Sequence, residues 1–348
     1  MAAMSRIGYY VPQTLLRHEG IRRRSEATLK AWEKVGVNPV LLAEAPDWEE
    51  DLSGARLLQR HVKSDSAAAN AARDLFESGA IDHLHVRLLS PTLGWSRLAA
   101  RFDVSLEIHG YLWRPEHARD LVARVAPFGL TSRALVHRAR SGAFVTHELA
   151  NEASYASIPH KVVIGNGIEL GEPFPAPANE TPLVGMAIGM DAPWNGLDIM
   201  ASWARRLPEV HFVVICPAKL AADLQKNPEN KPLRFRPTRN RQDYLVELSQ
   251  LDAAVGSLAA ERKKIHELAA LKVRDYLNVG IPTLLVTPDT NLMGVEDEAV
   301  PLRRKPLDLD SLQDWINSMR GRRVLDSTRR AVSIDVVEAQ RLRAIMTN

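Results

Sequence analysis

Short apolar runs alternate along this chain with longer amphipathic ones, the pattern of a parallel β-sheet covered by helices. In the first half the pattern predicts strands over residues 6–11, 39–42, 83–86, 104–108, 143–146 and 162–164. Helices are predicted over 21–35, 66–78, 93–100, 115–124 and 131–140, and another around 148–157. The rhythm restarts in the second half, with strands over 183–188, 212–215, 253–255 and 283–286 and helices over 196–206, 241–248 and 268–278. Helices over 309–319 and 326–345 close the chain.

Between the halves, residues 170–182 read LGEPFPAPANETP, with four prolines in thirteen residues. Proline fixes φ and removes a backbone donor, so this stretch makes poor helix or strand and a good linker. The expected architecture is α/β, with Rossmann-like domains over 1–170 and 183–325 and a ligand cleft between them. Residues 326–348 are expected to form a C-terminal helix packing back toward the first domain. A length of 348 residues suits two ordinary cores.

Composition narrows the partners. Hydrophobic residues make up 45% and charged residues 25%, which excludes disorder as the main state. The 45 basic and 42 acidic residues nearly cancel, to +3, and show no basic stripe of the kind a nucleic-acid binder needs. Cys216 stands alone, which excludes an internal disulfide and fits a reducing compartment; after the apolar run 211–215 it reads as a buried strand-end thiol. No run approaches 18 apolar residues, and the chain opens directly on a strand without a secretory pattern, so a cytoplasmic protein is expected. Arg114, Arg119, Arg124, Arg133, Arg138 and Arg140 stand against only Glu116 and Asp120. With Leu112, Trp113 and Phe128 they suit either a peripheral contact with anionic lipid or two solvated surface helices.

The chemistry concentrates in residues 261–286, ERKKIHELAALKVRDYLNVGIPTLLV. Glu267 and Asp275 lie eight apart and are followed by Tyr276, Gly280 and Pro282. A helix starting near Glu267 points backbone N–H groups at whatever precedes it, which favours a diphosphate. Eight helical residues cover about 12 Å, a scale that reaches different parts of a nucleotide sugar. The plainer reading is an amphipathic helix with two solvated acids, capped by Gly280 and stopped by Pro282.

This segment resembles the donor-binding motif of the retaining GT-B glycosyltransferases of family 4 (group 1), with Asp275 in place of the second glutamate and Lys272 matching a lysine common in the motif. The resemblance implies that Glu267 contacts the transferred sugar and Asp275 the ribose hydroxyls. Residues 163–170, VIGNGIEL, resemble the turn that ends the first domain of that family, although Asn166 followed by Gly167 is also an ordinary turn. Residues 107–110, EIHG, resemble the first-domain loop whose histidine lies near the reacting sugar, which points to His109; a lone histidine is as readily a packed or surface residue. The family's glycine-rich turn after the first strand is replaced by residues 17–24, RHEGIRRR. Gly20 is the candidate for close backbone approach to phosphate. Arg22, Arg23 and Arg24 suit an anionic acceptor, a membrane or a solvated helix face.

One departure bears on catalysis. Residues 188–196, IGMDAPWNG, keep the frame of the family's diphosphate clamp but place Met190 where arginine is usual and Asn195 where lysine is usual. Desolvating a diphosphate without a cation is costly. Asn195 still offers a hydrogen bond, and Arg262, Lys263, Lys264 and Lys272 are the candidate replacements for the missing charge.

The resemblance thus implies a GT-B glycosyltransferase that moves a sugar from a nucleotide-sugar donor to a glycan, lipid-linked or small-molecule acceptor, with retention and without metal or other cofactor. His109 and Glu267 are the candidate catalytic positions; Gly20, Asn195, Lys272 and Asp275 are the candidate donor-binding ones. The alternatives are a catalytically silent GT-B protein binding a glycan, nucleotide or partner enzyme, favoured by Met190 and Asn195, and a GT-B sugar-nucleotide epimerase. Asp308 and Asp310 fit a helix start better than a metal site, and His83 with His85 on one strand face lack an evident third ligand.

Overall fold

The computed structural model describes residues 6–12, 19–43, 58–61, 65–87, 93–110, 125–303 and 307–346. The chain divides into two compact units, Met1–Gly167 with Ile334–Asn348, and Ile168–Ser333.

The described strands of the first unit are β1 (Arg6–Val11), β2 (Asn38–Ala43), β3 (Leu58–His61), β4 (His83–Arg87), β5 (Val104–Ile108), β6 (Ser141–Phe144) and β7 (His160–Val163). They form one parallel sheet in the order β3-β2-β1-β4-β5-β6-β7, with the reversal between β1 and β4 that marks a doubly wound fold. Helices α1 (Glu19–Lys34), α2 (Asp65–Glu77), α3 (Leu93–Ala99), α4 (Val125–Arg138) and α5 (His147–Ala150) connect them. Helix α1 buries one stripe, Ser25, Thr28, Leu29, Ala31 and Trp32, at the spacing of an amphipathic helix. Strand β3 was not expected. Its sequence, LQRH, holds one apolar residue, and among the described residues it pairs with β2 alone.

The second unit carries β8 (Leu183–Ala187), β9 (His211–Pro217), β10 (Arg234–Thr238), β11 (Ala253–Val255) and β12 (Thr283–Leu284), parallel and in the order β10-β9-β8-β11-β12. Its helices are α6 (Leu197–Arg206), α7 (Ala218–Leu224), α8 (Arg241–Ser249), α9 (Leu271–Asn278), α10 (Leu309–Met319) and α11 (Asp326–Ala331). A core of Val184, Met186, Met200, Phe212, Val214, Leu277, Leu284 and Ile316 fills the space between sheet and helices. Cys216 lies in β9, 1% exposed, and burial pushes its thiol up to about 11. Asp308 caps α10 by accepting from the Ser311 amide at 3.0 Å, a structural role.

Two expectations about chain organisation need correction. The helix expected over 326–345 is two helices, α11 and α12 (Ile334–Met346), because Ser333 pairs with Ile168 and the Val332 carbonyl accepts the Ile168 amide at 2.9 Å. Residues 170–182 are indeed without helix or strand, yet they belong to the second unit and are fastened to it. Asn278 accepts the Gly171 amide at 2.7 Å, and Arg323 donates to the carbonyls of Phe174 and Pro175 at 2.8 and 2.6 Å. Arg320 and Arg329 donate to the carbonyls of Asn179 and Gly171.

The helix expected over 115–124 lies outside the described residues, as do Leu112, Trp113, Arg114, Glu116, Arg119, Asp120, Arg124 and the side chain of Phe128. Of the remaining arginines in that group, Arg138 donates to the Ser96 hydroxyl at 2.7 Å and Arg140 pairs with Asp103 at 2.8 Å. No helix among the described residues is long and apolar enough to cross a membrane.

Candidate functional site

In the second unit, the loop after β8 meets the start of α9. That loop ends in a single 3₁₀ turn, Pro193–Asn195, followed by Gly196 at φ 74°, from which α6 departs. A Cβ on Gly196 would stand 2.8 Å from the Leu258 Cβ, so this position requires glycine on both conformational and steric grounds. The amides of Leu258 and Ala259 donate to the carbonyls of Asn195 and Trp194 at 3.0 and 3.1 Å, sewing the turn to the segment after β11. Asn195, buried, donates from Nδ2 to the Met190 carbonyl at 3.1 Å and accepts at Oδ1 from Lys272 Nζ at 3.0 Å. Two sequence candidates 77 residues apart thus touch. Burial alone pushes the Lys272 ammonium down to about 7, and among the described residues it makes no ion pair.

The other candidate replacements for the missing charge are differently engaged. Arg262 is held by Asp198 in α6 at 2.7 and 2.8 Å and by the Pro193 carbonyl at 3.2 Å. Lys263 places its ammonium 4.5 Å from the centre of the Trp194 ring. Met190, where the family's arginine is usual, is 58% exposed.

Glu267 does not start a helix. Leu268 forms a parallel bridge with Asp289: its amide donates to the Pro288 carbonyl at 2.9 Å and its carbonyl accepts the Thr290 amide at 2.9 Å. That pairing keeps the backbone extended up to Ala270, and α9 begins at Leu271. The expectation of an unbroken helix from Glu267 to Asp275 is therefore corrected. The Glu267 side chain is buried and its Oε1 accepts from the Thr290 hydroxyl at 2.8 Å. Thr290 is itself fixed by its neighbours, because Arg274, fully buried, donates to Asp289 at 2.6 Å and to Asn291 at 2.8 Å. Asp275 faces α8, where Arg241 donates to it at 2.6 Å and the Tyr244 hydroxyl at 3.2 Å. Gly280, at φ 85°, closes α9: its amide reaches the Leu277 carbonyl and the Ile281 amide reaches the Tyr276 carbonyl, the paired bonds of a Schellman end.

In the first unit, polar side chains line one sheet face at the carboxyl ends of β1, β4 and β5. Register sets Tyr9 beside His85, His85 beside Ser105, and Arg87 beside Glu107. Glu107, 1% exposed, accepts from the Tyr9 hydroxyl at 2.8 Å, from Arg24 at 2.5 Å and from His109 Nε2 at 2.9 Å. Arg341 of α12 approaches the same carboxylate at 3.3 Å. Against the opposing effect of burial, the guanidiniums of Arg24, Arg341 and Arg87 hold the Glu107 carboxyl well below the usual range. His109 follows β5, with about a fifth of its side chain exposed. Burial, with Arg87 and Arg24 nearby, pushes it down to about 3, so its imidazole is neutral at physiological pH. His83 and His85 share the strand face as expected, and both bond the Ser105 hydroxyl at 2.7 Å.

Two first-unit expectations change. Gly20 lies inside the first turn of α1 and is not a turn glycine, so what it offers is an amide at a helix start. Arg24 is not on a solvated face: it is 4% exposed and turned inward onto Glu107. Sequence reading missed Thr290, Arg274, Asp289, Tyr9, Arg87, Glu338 and Arg341. The alternation of His83, His85 and Arg87 with apolar residues on a buried strand was the readable signal for part of that set.

No protein-family model and no curated protein matches the sequence. Solved structures do match. A glycosyltransferase from Rickettsia africae superposes at a TM-score of 0.68 with 13% identity, covering 99% of this chain and 100% of that one. A sucrose-phosphate synthase from Thermosynechococcus elongatus gives 0.56 and 12%, covering 98% and 94%. A UDP-GlcNAc 2-epimerase from Neisseria meningitidis, bound to UDP-GlcNAc, gives 0.53 and 11%, covering 99% and 100%. Matched along nearly its whole length by such proteins, the chain has the GT-B fold.

Proposed function

We propose that this protein is a glycosyltransferase that moves a sugar from a nucleotide-sugar donor, bound by the second unit, to a glycan, lipid-linked or small-molecule acceptor. The observation that carries the reading is the bond from Lys272 to Asn195, which unites the two sequence segments expected to hold the donor diphosphate. A half-buried ammonium at the start of α9 and the amides of that helix start are suited to the charge that grows on a departing diphosphate. The coarser reading, transfer from a nucleotide sugar, rests on the fold together with this constellation. Retention and independence of metal are its finer terms.

In this reading Lys272 takes over the neutralising role that Met190 and Asn195 do not supply. Glu267, oriented by Thr290, addresses the transferred sugar, and Asp275 the ribose. His109 contributes a neutral imidazole held by Glu107, a hydrogen-bonding group rather than a charge. A second reading, a catalytically silent binder of a nucleotide or glycan, is favoured by one observation: Arg262 is already paired with Asp198, which leaves fewer cations for a diphosphate.

The test is donor turnover by mass spectrometry with UDP-, GDP- and dTDP-sugars, with and without EDTA, in wild type and Glu267→Ala. Hydrolysis or transfer that survives EDTA and disappears in the variant supports the full reading. Turnover lost in EDTA removes metal independence, binding without turnover supports the silent binder, and an epimeric sugar formed without acceptor makes the protein an isomerase.

A further inference from the structure

The buried polar cluster of the first unit is not electrically balanced. Arg24, Arg87 and Arg341 are 4%, 5% and 1% exposed, and the carboxylates buried with them are Glu107 and Glu338, at 1% and 0%. Arg341 and Trp32 donate to Glu338 at 3.1 and 3.0 Å, and Arg24 stands 3.7 Å from it. His85 and His109 add no charge, since burial holds both neutral. Three cations against two anions leave one positive charge in surroundings where an unanswered charge is costly.

The surplus has an address. Arg87 sits at the carboxyl end of β4, beside Glu107 in register, yet its Nε and Nη1 have no hydrogen-bond partner among the described residues. The same holds for Nε of Arg24 and for Nη2 of Arg341, whose Nη1 lies 3.3 Å from Glu107 Oε1. A protein seldom buries so many guanidinium donors without acceptors unless something else supplies them. The carboxyl ends of strands near the reversal of a doubly wound sheet are also where such folds take ligands.

We propose that the first unit binds a phosphoryl group at Arg87, with Arg24 and Arg341 flanking it. Four buried donor atoms spread over three guanidiniums are more easily met by the three oxygens of a phosphoryl group than by the two of a carboxylate. The phosphoryl group has two sources, a phosphorylated acceptor or the diphosphate of a nucleotide.

Calorimetric titration of inorganic phosphate into the wild-type protein, at constant ionic strength set with sodium chloride, is the first test. Saturable binding is expected, together with a phosphate-dependent rise in melting temperature. In Arg87→Met the affinity falls at least about tenfold, while the melting temperature without phosphate stays level or rises, because the variant loses an uncompensated buried charge. No saturable binding to the wild type overturns the proposal, and so does equal binding by the variant. A variant that is destabilised without phosphate also overturns it, since Arg87 then serves the fold. Repeating the titration in saturating UDP separates the sources: binding that persists assigns the site to an acceptor phosphate, and binding that is lost assigns it to the nucleotide. None of these measurements involves sugar transfer, so their failure leaves the glycosyltransferase reading untouched.

Discussion

Lys272 Nζ donates to Asn195 Oδ1 across 3.0 Å, joining the first turn of α9 to the loop that follows β8. The lysine is half-buried and desolvation pushes it down to about 7, so it binds fewer protons in the folded than in the unfolded protein between pH 7 and its ordinary value. Folding stability contributed at this site therefore rises with pH across that window. Lys272→Met is expected to be more stable than wild type at pH 6, with the difference shrinking as pH rises toward 10, as read by urea unfolding at several pH values.

Under the proposed function, nucleotide binding acts on the same group in the opposite sense. A diphosphate beside Lys272 raises its pKa, so binding above pH 7 takes up a proton and the affinity for UDP weakens by up to about tenfold per pH unit. Calorimetry in two buffers of different ionisation enthalpy reads the uptake directly; a heat that is the same in both buffers at pH 8 counts against it. Lys272→Met abolishes the uptake.

Thr290 orients Glu267 through one hydroxyl bond of 2.8 Å. Thr290→Val removes the donor while keeping the shape, and Thr290→Ser keeps it. The valine variant is expected to lose more than about tenfold in donor turnover, with a stability loss of about 1 kcal/mol. The serine variant retains most of the turnover. If valine and serine lower turnover equally, the hydroxyl has no part in placing Glu267.

Arg274 and Asp289 form an ion pair with exposures of 0% and 2%. Removing one partner leaves a buried charge unanswered, so Asp289→Ala is expected to cost about 3–5 kcal/mol in chemical denaturation. The double replacement Arg274→Met with Asp289→Leu recovers most of that loss.

Gly196→Ala is expected to destabilise the protein by more than about 1 kcal/mol, because it combines a left-handed φ of 74° with a Cβ 2.8 Å from Leu258. Its melting temperature relative to Gly189→Ala, which meets nothing within 4 Å, isolates the effect.

The alternating pattern made most of the architecture legible, because buried parallel strands such as β8 and β9 are nearly continuous apolar runs. It failed where burial does not speak through hydrophobicity. Strand β3 has a single leucine, and β10, Arg234–Thr238, alternates charge with aromatic and proline at a sheet edge. Within the donor-motif segment the residues were readable but the backbone was not: a bridge from Leu268 to Asp289, set by residues 21 apart, decides where α9 begins. The first-unit cluster was the least legible part. Glu107 gathers partners from β1, α1, α12 and the loop after β5, and no spacing along the chain encodes such a meeting.

Helix α12, Ile334–Met346, supplies Glu338 and Arg341 to the first unit although all of Ile168–Ser333 precedes it in the chain. During synthesis the ribosome delivers this helix only after the entire second unit has emerged. Until then Trp32 and Arg24 lack the carboxylate of Glu338, and Leu342 and Ile345 are missing from the cluster around Ile7, Tyr9 and Leu29. The unit made first thus cannot be completed until the second has been synthesised, and for that interval its unfilled face is exposed to chaperones and to other nascent chains.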